Sequence, residues 1–346
     1  MTNEEILQIK KELKTNPDSL LSRSDITDDK EVIIELFSEY KMSLKYCSQN
    51  LQDDREIVML ALNNNGLDLE YASPRLQDDT NIVFMAIEKH YAAIQFANER
   101  FRDNKEFVLK KVFIPIVGIS MHTPLGSLSE RLKSDKEVVL CAVKQNGFNL
   151  QFATENLKGD REIVLAALEK HAYSFQFARE EIKNDSSFIL NHVEKNNWIY
   201  PYIGNKLKSN RIILEKAMKN NPIIFEHASV KLRSNKEFSL WAISQNGYNL
   251  KYVTPKLKSD YEIVLAAVKK NPSSLEFASV ALRNDKTIVL EAVAMQPDSI
   301  RYIGKKLKEE IGDNNPAHYL RSVLLMEKLE KKIPHKEKII NEKNKI

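Results

Sequence analysis

The chain contains 346 residues, of which 42% are hydrophobic, 29% are charged and 8% are aromatic. This composition supplies enough apolar side chains for a buried core and excludes a chain that is disordered throughout. The net charge of +4 is too small to indicate a nucleic-acid-binding protein, and two cysteines cannot form a disulfide framework or a structural zinc site.

Residues 1–27 contain a degenerate version of a motif that recurs along the chain. The segment NPDSL (16–20) is similar to NPSSL (271–275) but lacks the alanines of later copies. We predict that 1–27 form an N-terminal capping repeat, because the outer face of a terminal repeat meets water. The start, MTNEEILQIKKELK, is charged throughout and predicts no secretory signal peptide.

From residue 28 to residue 308 the sequence repeats with a period of 25 residues. For example, SDYEIVLAAVKKNPSSLEFASVALR (259–283) is followed in register by NDKTIVLEAVAMQPDSIRYIGKKLK (284–308). A unit of this length cannot bury its apolar face alone, so neighbouring units must stack. The eleven repeats begin at Asp28, Asp53, Asp78, Asp103, Ser134, Gly159, Asn184, Ser209, Ser234, Ser259 and Asn284.

Within each repeat the pattern predicts two helices joined by a tight turn. Position 1 is Asp, Ser, Asn or Gly and position 4 is often Glu, as in Ser134 and Glu137, which predicts a capping box. Apolar residues at positions 5, 6, 9 and 10 have helical spacing. Position 14 is often Gly or Pro, and we expect glycine there to end the first helix in the left-handed conformation.

Small residues recur at two fixed positions of the repeat. Position 9 is alanine in eight repeats and position 20 is alanine in six, which predicts close approach of neighbouring helices. No run of alternating polar and apolar residues predicts a strand. The predicted fold class is therefore all-α, an α-solenoid of about eleven 25-residue helical-hairpin repeats with degenerate terminal caps.

The fourth repeat (103–133) is irregular. It contains six additional residues, Lys111 occupies an alanine position, and 112–129 carry no charged side chain. This segment is too short and too often interrupted by Pro and Gly for a membrane span. We favour a loop that packs on the solenoid and breaks its regularity; the alternative is a binding loop.

The seventh repeat (184–208) has lost both small residues. His192 and Ile203 replace them, and Trp198, Tyr200 and Tyr202 crowd the turn and the second helix. We favour a repacked core. The alternative is an aromatic pocket with His192 as its polar group. A further hypothesis is that the protein is an enzyme with an unrecognised site near His192 or in the 112–129 loop.

Basic residues recur at position 25, which is Lys or Arg in nine consecutive repeats. Residues 1–133 hold 17 basic and 22 acidic residues, whereas 134–308 hold 27 and 19. We favour complementation of helix dipoles at position 25. The alternative is a basic ridge along 206–308 that binds an acidic partner, although no aromatic residues interleave it. The candidate partner-binding residues are Lys206, Lys208, Lys231, Arg233, Lys256 and Lys258.

Residues 309–346 follow the last repeat. The segment PAHYLRSVLLMEKLEKKI predicts an amphipathic C-terminal capping helix, and the remainder predicts a charged tail. The chain contains no HExxH, CxxC, glycine-rich phosphate loop or nucleophile elbow. We therefore predict no catalytic, cofactor-binding or metal-binding residues, and we interpret Cys47 and Cys141 as buried, unreactive thiols.

The repeat resembles a known family. Units of the form DDREIVLxAVxxNGxxLxYASxxLR, with AVKQNG and LQFA in 142–153, are similar to the repeats of domain of unknown function 4116. A leucine-rich-variant-like repeat is less similar, because it has less of the Asn-Gly or Asn-Pro turn. The resemblance implies helical repeats found in intracellular bacterial pathogens, including effectors secreted into a host cytosol, and in some protists. It implies no reaction.

These observations favour a non-catalytic scaffold that binds a macromolecular partner, with a protein as the preferred class. The alternative is an electrostatic adaptor that binds anionic membrane lipid or nucleic acid through the basic ridge. The Glu- and Lys-rich C-terminus is similar to the polar tail signals of type IV secretion effectors. We accordingly expect a cytoplasmic protein or one delivered into a host cytosol without a classical signal.

Overall fold

A computed structural model of the chain describes residues 27–40, 42–113 and 124–343. The chain divides into two compact units, Met1–Ile182 and Lys183–Ile346. All regular elements in the described residues are helical, and the predicted all-α repeat fold is confirmed. Residues 1–26 of the predicted N-terminal cap lie outside the described residues.

A regular repeat contains three helical segments rather than the predicted two. In repeat 5, an α-helix of 10 residues (Lys136–Gln145) is followed by a 3-10 helix of 6 residues (Gly147–Phe152) and an α-helix of 4 residues (Glu155–Lys158). Ala153 and Thr154 are extended, with ψ of 154° and 157°, and they separate the second segment from the third. The three are called here the first helix, the 3-10 helix and the short helix.

The first unit contains repeats 1–6. Its first helices are Lys30–Tyr40, Arg55–Asn64, Thr80–Lys89, Lys105–Phe107 with the π-helix Val108–Val112, Lys136–Gln145 and Arg161–Lys170. Its 3-10 helices are Leu44–Tyr46, Gly66–Tyr71, Tyr91–Phe96, Pro124–Ser127, Gly147–Phe152 and Ala172–Phe177. Its short helices are Gln49–Gln52, Pro74–Gln77, Glu99–Arg102, Glu130–Lys133 and Glu155–Lys158, and Glu180–Lys183 ends repeat 6 at the boundary.

The second unit contains repeats 7–11 and the C-terminal helix. Its first helices are Ser186–His192, Arg211–Met218, Lys236–Gln245, Tyr261–Lys270 and Lys286–Met295. The 3-10 helices that follow them are Asn197–Tyr202, Pro222–His227, Gly247–Lys251, Pro272–Phe277 and Pro297–Tyr302. The third segments are Leu207–Ser209, Val230–Arg233, Pro255–Lys258, Leu282–Asn284 and Lys305–Ile311, and the last helix is Pro316–Lys343.

Each first helix is capped by position 2, not by position 1 as predicted. Asp135 Oδ1 accepts hydrogen bonds from the backbone N–H groups of Glu137 (3.0 Å) and Val138 (3.1 Å), while Ser134 ends the preceding short helix. Position 2 is Asp or Asn in all eleven repeats, so the sequence carries this signal. The predicted capping box is therefore wrong, because the glutamate lies at the second helical position rather than the third.

The small residues lie in the core as predicted. All eight position-9 alanines are fully buried, and the six alanines at position 20 are also buried. Side chains of this size let the first helices of neighbouring repeats pack closely. The alanine pattern therefore reports the contact between repeats.

The glycines at position 14 do not adopt the predicted left-handed conformation; Gly312, with φ of 55°, is the one positive-φ glycine among the described residues. Position 14 is instead crowded by the next repeat. A Cβ on Gly247 would lie 2.6 Å from the carbonyl oxygen of Ala267, and one on Gly147 would collide with that of Ala167. In the repeats that have glycine at this position, its missing side chain allows the close approach of the neighbouring repeat.

Backbone hydrogen bonds link the short segments of successive repeats. The N–H group at position 21 donates to the position-25 carbonyl of the preceding repeat, as in Thr154 to Lys133 (3.2 Å) and Ser279 to Lys258 (2.9 Å). The same bond recurs along each unit. It fixes the register, so equal positions of neighbouring repeats align within a unit.

A basic residue at position 3 joins the caps of successive first helices. Lys236 Nζ lies 2.8 Å from Asp260 Oδ2 and 2.9 Å from Glu262 Oε2, at positions 2 and 4 of the next repeat. Lys136 pairs in the same way with Asp160 and Glu162. The position-4 glutamates thus serve contacts between repeats.

Repeat 4 departs from the regular form. Its first α-helix ends at Phe107 and continues as the π-helix Val108–Val112, and exposed Lys111 lies with Nζ 4.1 Å from the centre of the Phe84 ring. Residues 114–123, which contain most of the predicted loop, lie outside the described residues.

The C-terminal helix Pro316–Lys343 packs on the first helix of repeat 11 and buries Leu320. Lys286, at position 3 of repeat 11, pairs with Glu310 of the helix Lys305–Ile311 (2.8 Å) and with Glu327 of the C-terminal helix (3.5 Å). The C-terminal segment thereby provides the carboxylates that a further repeat would supply.

Candidate partner-binding surface

Five of the six predicted binding residues lie on the third segments of repeats 7–9, and Lys206 is the N-cap residue of the segment in repeat 7, all within the second unit. Backbone bonds from Ser229 to Lys208 and from Thr254 to Arg233, both 3.3 Å, align these segments. Position 23 supplies Lys206, Lys231 and Lys256, and position 25 supplies Lys208, Arg233 and Lys258. The two positions differ in exposure and in partners.

Position 25 is half-buried and has a structural role. Arg233 donates from Nε to the Ala228 carbonyl (3.0 Å) and from Nη1 to the Tyr252 carbonyl (3.1 Å). Burial lowers the pKa of Lys208, and burial together with the charges of Arg233 and Lys251 lowers the pKa of Lys258. The position-25 cations therefore help to hold the repeats together as well as contributing positive charge to the surface.

The first unit shows the same function for position 25. Gln77 Nε2 donates to the carbonyls of Leu69 (3.0 Å) and Glu70 (3.2 Å), and Arg102 Nε donates to that of Ala97 (3.2 Å). These carbonyls lie at the C-terminal end of the 3-10 helix, and the Leu69 carbonyl also accepts from the Ala72 N–H group (3.3 Å). The position therefore selects long donor side chains, which explains why Gln replaces the cation in repeats 1 and 2.

Position 23 in repeats 2–4 carries arginines that are paired. Arg75 Nε lies 3.1 Å from Asp53 Oδ1, and Arg131 Nε lies 3.0 Å from Asp103 Oδ1. Each aspartate is position 1 of the same repeat. Hydrogen bonds from Ser73 and Arg75 lower the pKa of Asp53, so this carboxylate is held in its charged form.

Position 23 in repeats 7–9 is different, because position 1 is Asn or Ser there. Lys206, Lys231 and Lys256 are exposed, and none of them has an ion pair with a described residue. We call these three residues the exposed lysine row. Its members are aligned in successive repeats and their ammonium groups remain available to a partner.

Aromatic side chains accompany this surface, contrary to the expectation that none interleave the ridge. Position 19 is aromatic or His in ten of the eleven repeats. Lys251 Nζ lies 5.4 Å from the centre of the Tyr252 ring, and burial and the nearby charge of Lys208 lower the pKa of His227. In the second unit this aromatic column consists of Tyr202, His227, Tyr252, Phe277 and Tyr302.

Sequence reasoning does not single out this column, because aromatic residues at position 19 fit an apolar core equally well. In the structure these side chains are partly open to solvent: His227 is exposed and the others are half-buried. Tyr248 at position 15, 44% exposed, extends the column by an edge contact with Phe277 at 6.4 Å between ring centres. The signal available in the sequence was the recurrence of an aromatic residue or His at position 19 in ten of the eleven repeats.

The predicted pocket around His192 has a different form. The imidazole packs against Phe188, with ring centres 4.6 Å apart. Tyr200 is fully buried and its hydroxyl donates to the Lys208 carbonyl at 2.9 Å. A nearby cavity of about 510 Å³ is lined by Leu190, Asn191, Glu194, Lys195, Lys216 and Asn220, and not by His192.

The cysteines are placed as follows. Burial, aided by the charge of Asp68, raises the pKa of the Cys47 thiol to about 12. Cys141 is half-buried and its pKa is also raised by burial. Neither environment favours the reactive thiolate. The described residues contain no group of three or more His, Cys, Asp or Glu side chains placed to hold a metal ion.

No helix in the described part of the chain is both long enough and apolar enough to cross a bilayer.

The stacked three-segment repeats define an α-helical repeat protein. The family described as domain of unknown function 4116 matches residues 29–77, 79–110, 124–158, 160–208, 210–258 and 260–308, and the chain belongs to this family. A full-length match covers two 25-residue repeats and begins at a position-2 capping residue. No curated protein and no solved structure was found to match the chain.

Proposed function

We propose that the protein is a non-catalytic helical-repeat scaffold that binds an acidic protein partner through the exposed lysine row. The observation that carries this proposal is the contrast at position 23. Arginines of repeats 2–4 pair with position-1 aspartates, whereas Lys206, Lys231 and Lys256 have no described ion-pair partner. Stacked repeats commonly use such extended surfaces for binding.

A protein partner agrees with the balance of charge and aromatic surface. The row provides three available cations, while the position-25 cations also serve the framework. A polyanion such as nucleic acid gains affinity mainly from many neutralised phosphates. Exposed Trp198 and Tyr248 in the same unit are residue types enriched at protein interfaces.

The setting is part of the proposal. The family resemblance suggests an effector delivered into a host cytosol, so a host protein with an acidic segment is the partner class to test. The Glu- and Lys-rich C-terminus supports delivery by type IV secretion only through its resemblance to such signals.

A second candidate function is binding of single-stranded nucleic acid. The observation that favours it is the aromatic column, with Lys251 5.4 Å from the centre of the Tyr252 ring. Basic grooves with aromatic platforms bind single strands by stacking the bases. Anionic lipid headgroups would form ion pairs with the lysines and would not require the aromatic side chains.

The test is affinity capture from host-cell lysate with the intact chain and two charge-reversed variants. One variant is K206E/K231E/K256E. The matched control is K195E/K269E/K270E, which changes the same charge at exposed lysines on other parts of the second unit. We expect the first variant alone to lose protein partners, and raised salt to weaken capture by the wild type.

Folding should be unaffected in both variants, because exposed charge substitutions usually change stability by less than about 0.5 kcal/mol. Thermal melts check this. Equal capture by all three proteins would contradict the proposal. Nuclease-sensitive capture, or retention on anionic vesicles that requires the row, would favour the alternatives.

A further inference from the structure

The row has a defined geometry that restricts what its partner can be. If the row binds a protein as proposed above, its geometry also restricts the conformation of the bound segment. Lys206, Lys231 and Lys256 recur at the same position of three successive repeats. The position-21 to position-25 backbone bonds hold these repeats in register, so the ammonium groups recur once per repeat step.

The repeat step sets the spacing. The axes of packed helices lie about 8–10 Å apart, and the row should share that period. A polyproline II segment has 3 residues per turn and rises about 3.1 Å per residue, which places side chains i, i+3 and i+6 on one face about 9 Å apart. A β-strand alternates its side chains, so residues three apart point to opposite faces.

The aromatic column supplies the second half of the recognition. Its members lie at or just after the ends of the 3-10 helices of the same repeats, and Arg233 at position 25 donates to the backbone carbonyl of Tyr252. Aromatic-lined surfaces recognise proline-rich polyproline II segments, because rings and pyrrolidines pack well and the ligand loses little entropy. Tyr202, His227 and Tyr252 belong to repeats 7–9, the three repeats that carry the row.

We infer that the partner segment is an acidic, proline-rich peptide in the polyproline II conformation, with a carboxylate at every third residue. One face of this peptide places its carboxylates on Lys206, Lys231 and Lys256. The neighbouring face packs its prolines on the aromatic column. The ordering cost is low, since such sequences populate this conformation before binding.

The experiment measures binding of labelled synthetic peptides to the intact chain by fluorescence anisotropy at low salt. The first peptide contains four Glu-Pro-Ala triplets. The second has the same composition with its glutamates adjacent, and the third is a helix-forming peptide with glutamates seven residues apart, which also spaces charges by about 10 Å. A single-stranded oligonucleotide and anionic vesicles are the remaining probes.

We expect the triplet peptide to bind at least about fivefold more tightly than the clustered isomer, which cannot form all three ion pairs at once. K206E/K231E/K256E should abolish this preference, and K195E/K269E/K270E should retain it. Tyr252→Leu, which keeps apolar volume but removes the ring, should weaken the triplet peptide. Tyr261→Leu, at an exposed first-helix position, is the matched control.

Equal binding of the triplet and clustered peptides would overturn the inference, as would tighter binding of the helical peptide, the oligonucleotide or the vesicles. If lysate capture still depends on the row, the proposed function survives that result. If capture is independent of the row and the triplet peptide also shows no preference, both fail.

Discussion

At the residue scale, several recurring side chains are explained by contacts with a neighbouring repeat. Glycine at position 14 gives space to the carbonyl of the next first helix, as with Gly247 and Ala267. Position 25 is a donor to the carbonyls that end the 3-10 helix, whether it is Gln77 or Arg102. Both roles arise from backbone groups that local sequence does not reveal.

The role of glycine predicts that Gly147→Ala is destabilising. The new methyl group would collide with the Ala167 carbonyl, and overpacking of this kind costs about 1–3 kcal/mol. Urea unfolding measures the loss. Gly159→Ala is the control, because its nearest contacts would be 3.4 Å and its backbone is right-handed helical, with φ of −98°. Equal midpoints for the two variants would show that position 14 tolerates a side chain.

At the element scale, the first helix is the best-defined part of the repeat. Its start is set by an Asp or Asn whose side chain accepts backbone hydrogen bonds, and its buried face contains alanine at the closest approach. In repeat 10, Asp260 caps the helix and Ala267 is fully buried. In repeat 7, His192 replaces the alanine and the helix ends at that residue.

Ala267→Leu should therefore separate packed helices. We expect a loss of about 1–3 kcal/mol in the free energy of unfolding, because the added atoms have no space. Ala217→Leu should behave alike, since Ala217 is also fully buried. Lys270→Leu, at an exposed position of the same helix as Ala267, is the control. Unchanged thermal midpoints in both alanine variants would show that position 9 is not a packing contact.

At the scale of the whole molecule, the balance of acidic and basic residues differs between the two parts of the repeat region. Acidic residues exceed basic ones in 1–133 and the reverse holds in 134–308. In the first unit, position-23 arginines pair with position-1 aspartates, whereas the position-23 lysines of repeats 7–9 have no ion pair with any described residue. The position-3 ion pairs occur in both units and link the caps of successive helices.

These ion pairs predict that the protein loses stability in acid. The Lys236 hydrogen bond lowers the pKa of Asp260, and the Arg55 hydrogen bond lowers that of Asp79, with burial opposing each. A carboxyl with a lowered folded-state pKa stabilises the fold above its unfolded-state value, and that contribution is lost as pH falls through the folded-state value. Urea midpoints should therefore decrease as pH falls through the carboxylate range.

Lys236→Met isolates one link. At neutral pH it should lower the urea midpoint only slightly, because solvent screens these partly exposed pairs, and the loss should shrink in acid. Lys270→Met is the control. Asp68 has the opposite sign: burial raises its pKa against the Leu44 hydrogen bond, so its contribution is lost as pH rises through that value. A Lys236→Met penalty that grows in acid would refute the ion-pair account.

The sequence alone determined the class of fold, the period and the register. A stack of repeats makes the same helix contact in each repeat. This contact favours alanine at the same repeat position, as at 61, 86 and 142. This pattern can be recognised from the sequence alone because it is periodic. The six candidate binding residues were found for the same reason, as two recurring basic positions.

Tertiary structure decided what those positions do. Arg233 bonds to carbonyls of its own and the next repeat, while Lys231, two residues away, has no ion pair in the described chain. The Tyr252 ring is half-buried and lies beside Lys251, and the neighbouring repeat makes glycine necessary at 247. The sequence period aligns equal positions, but only contacts within and between repeats determine which charges have ion-pair partners among the described residues and which have none.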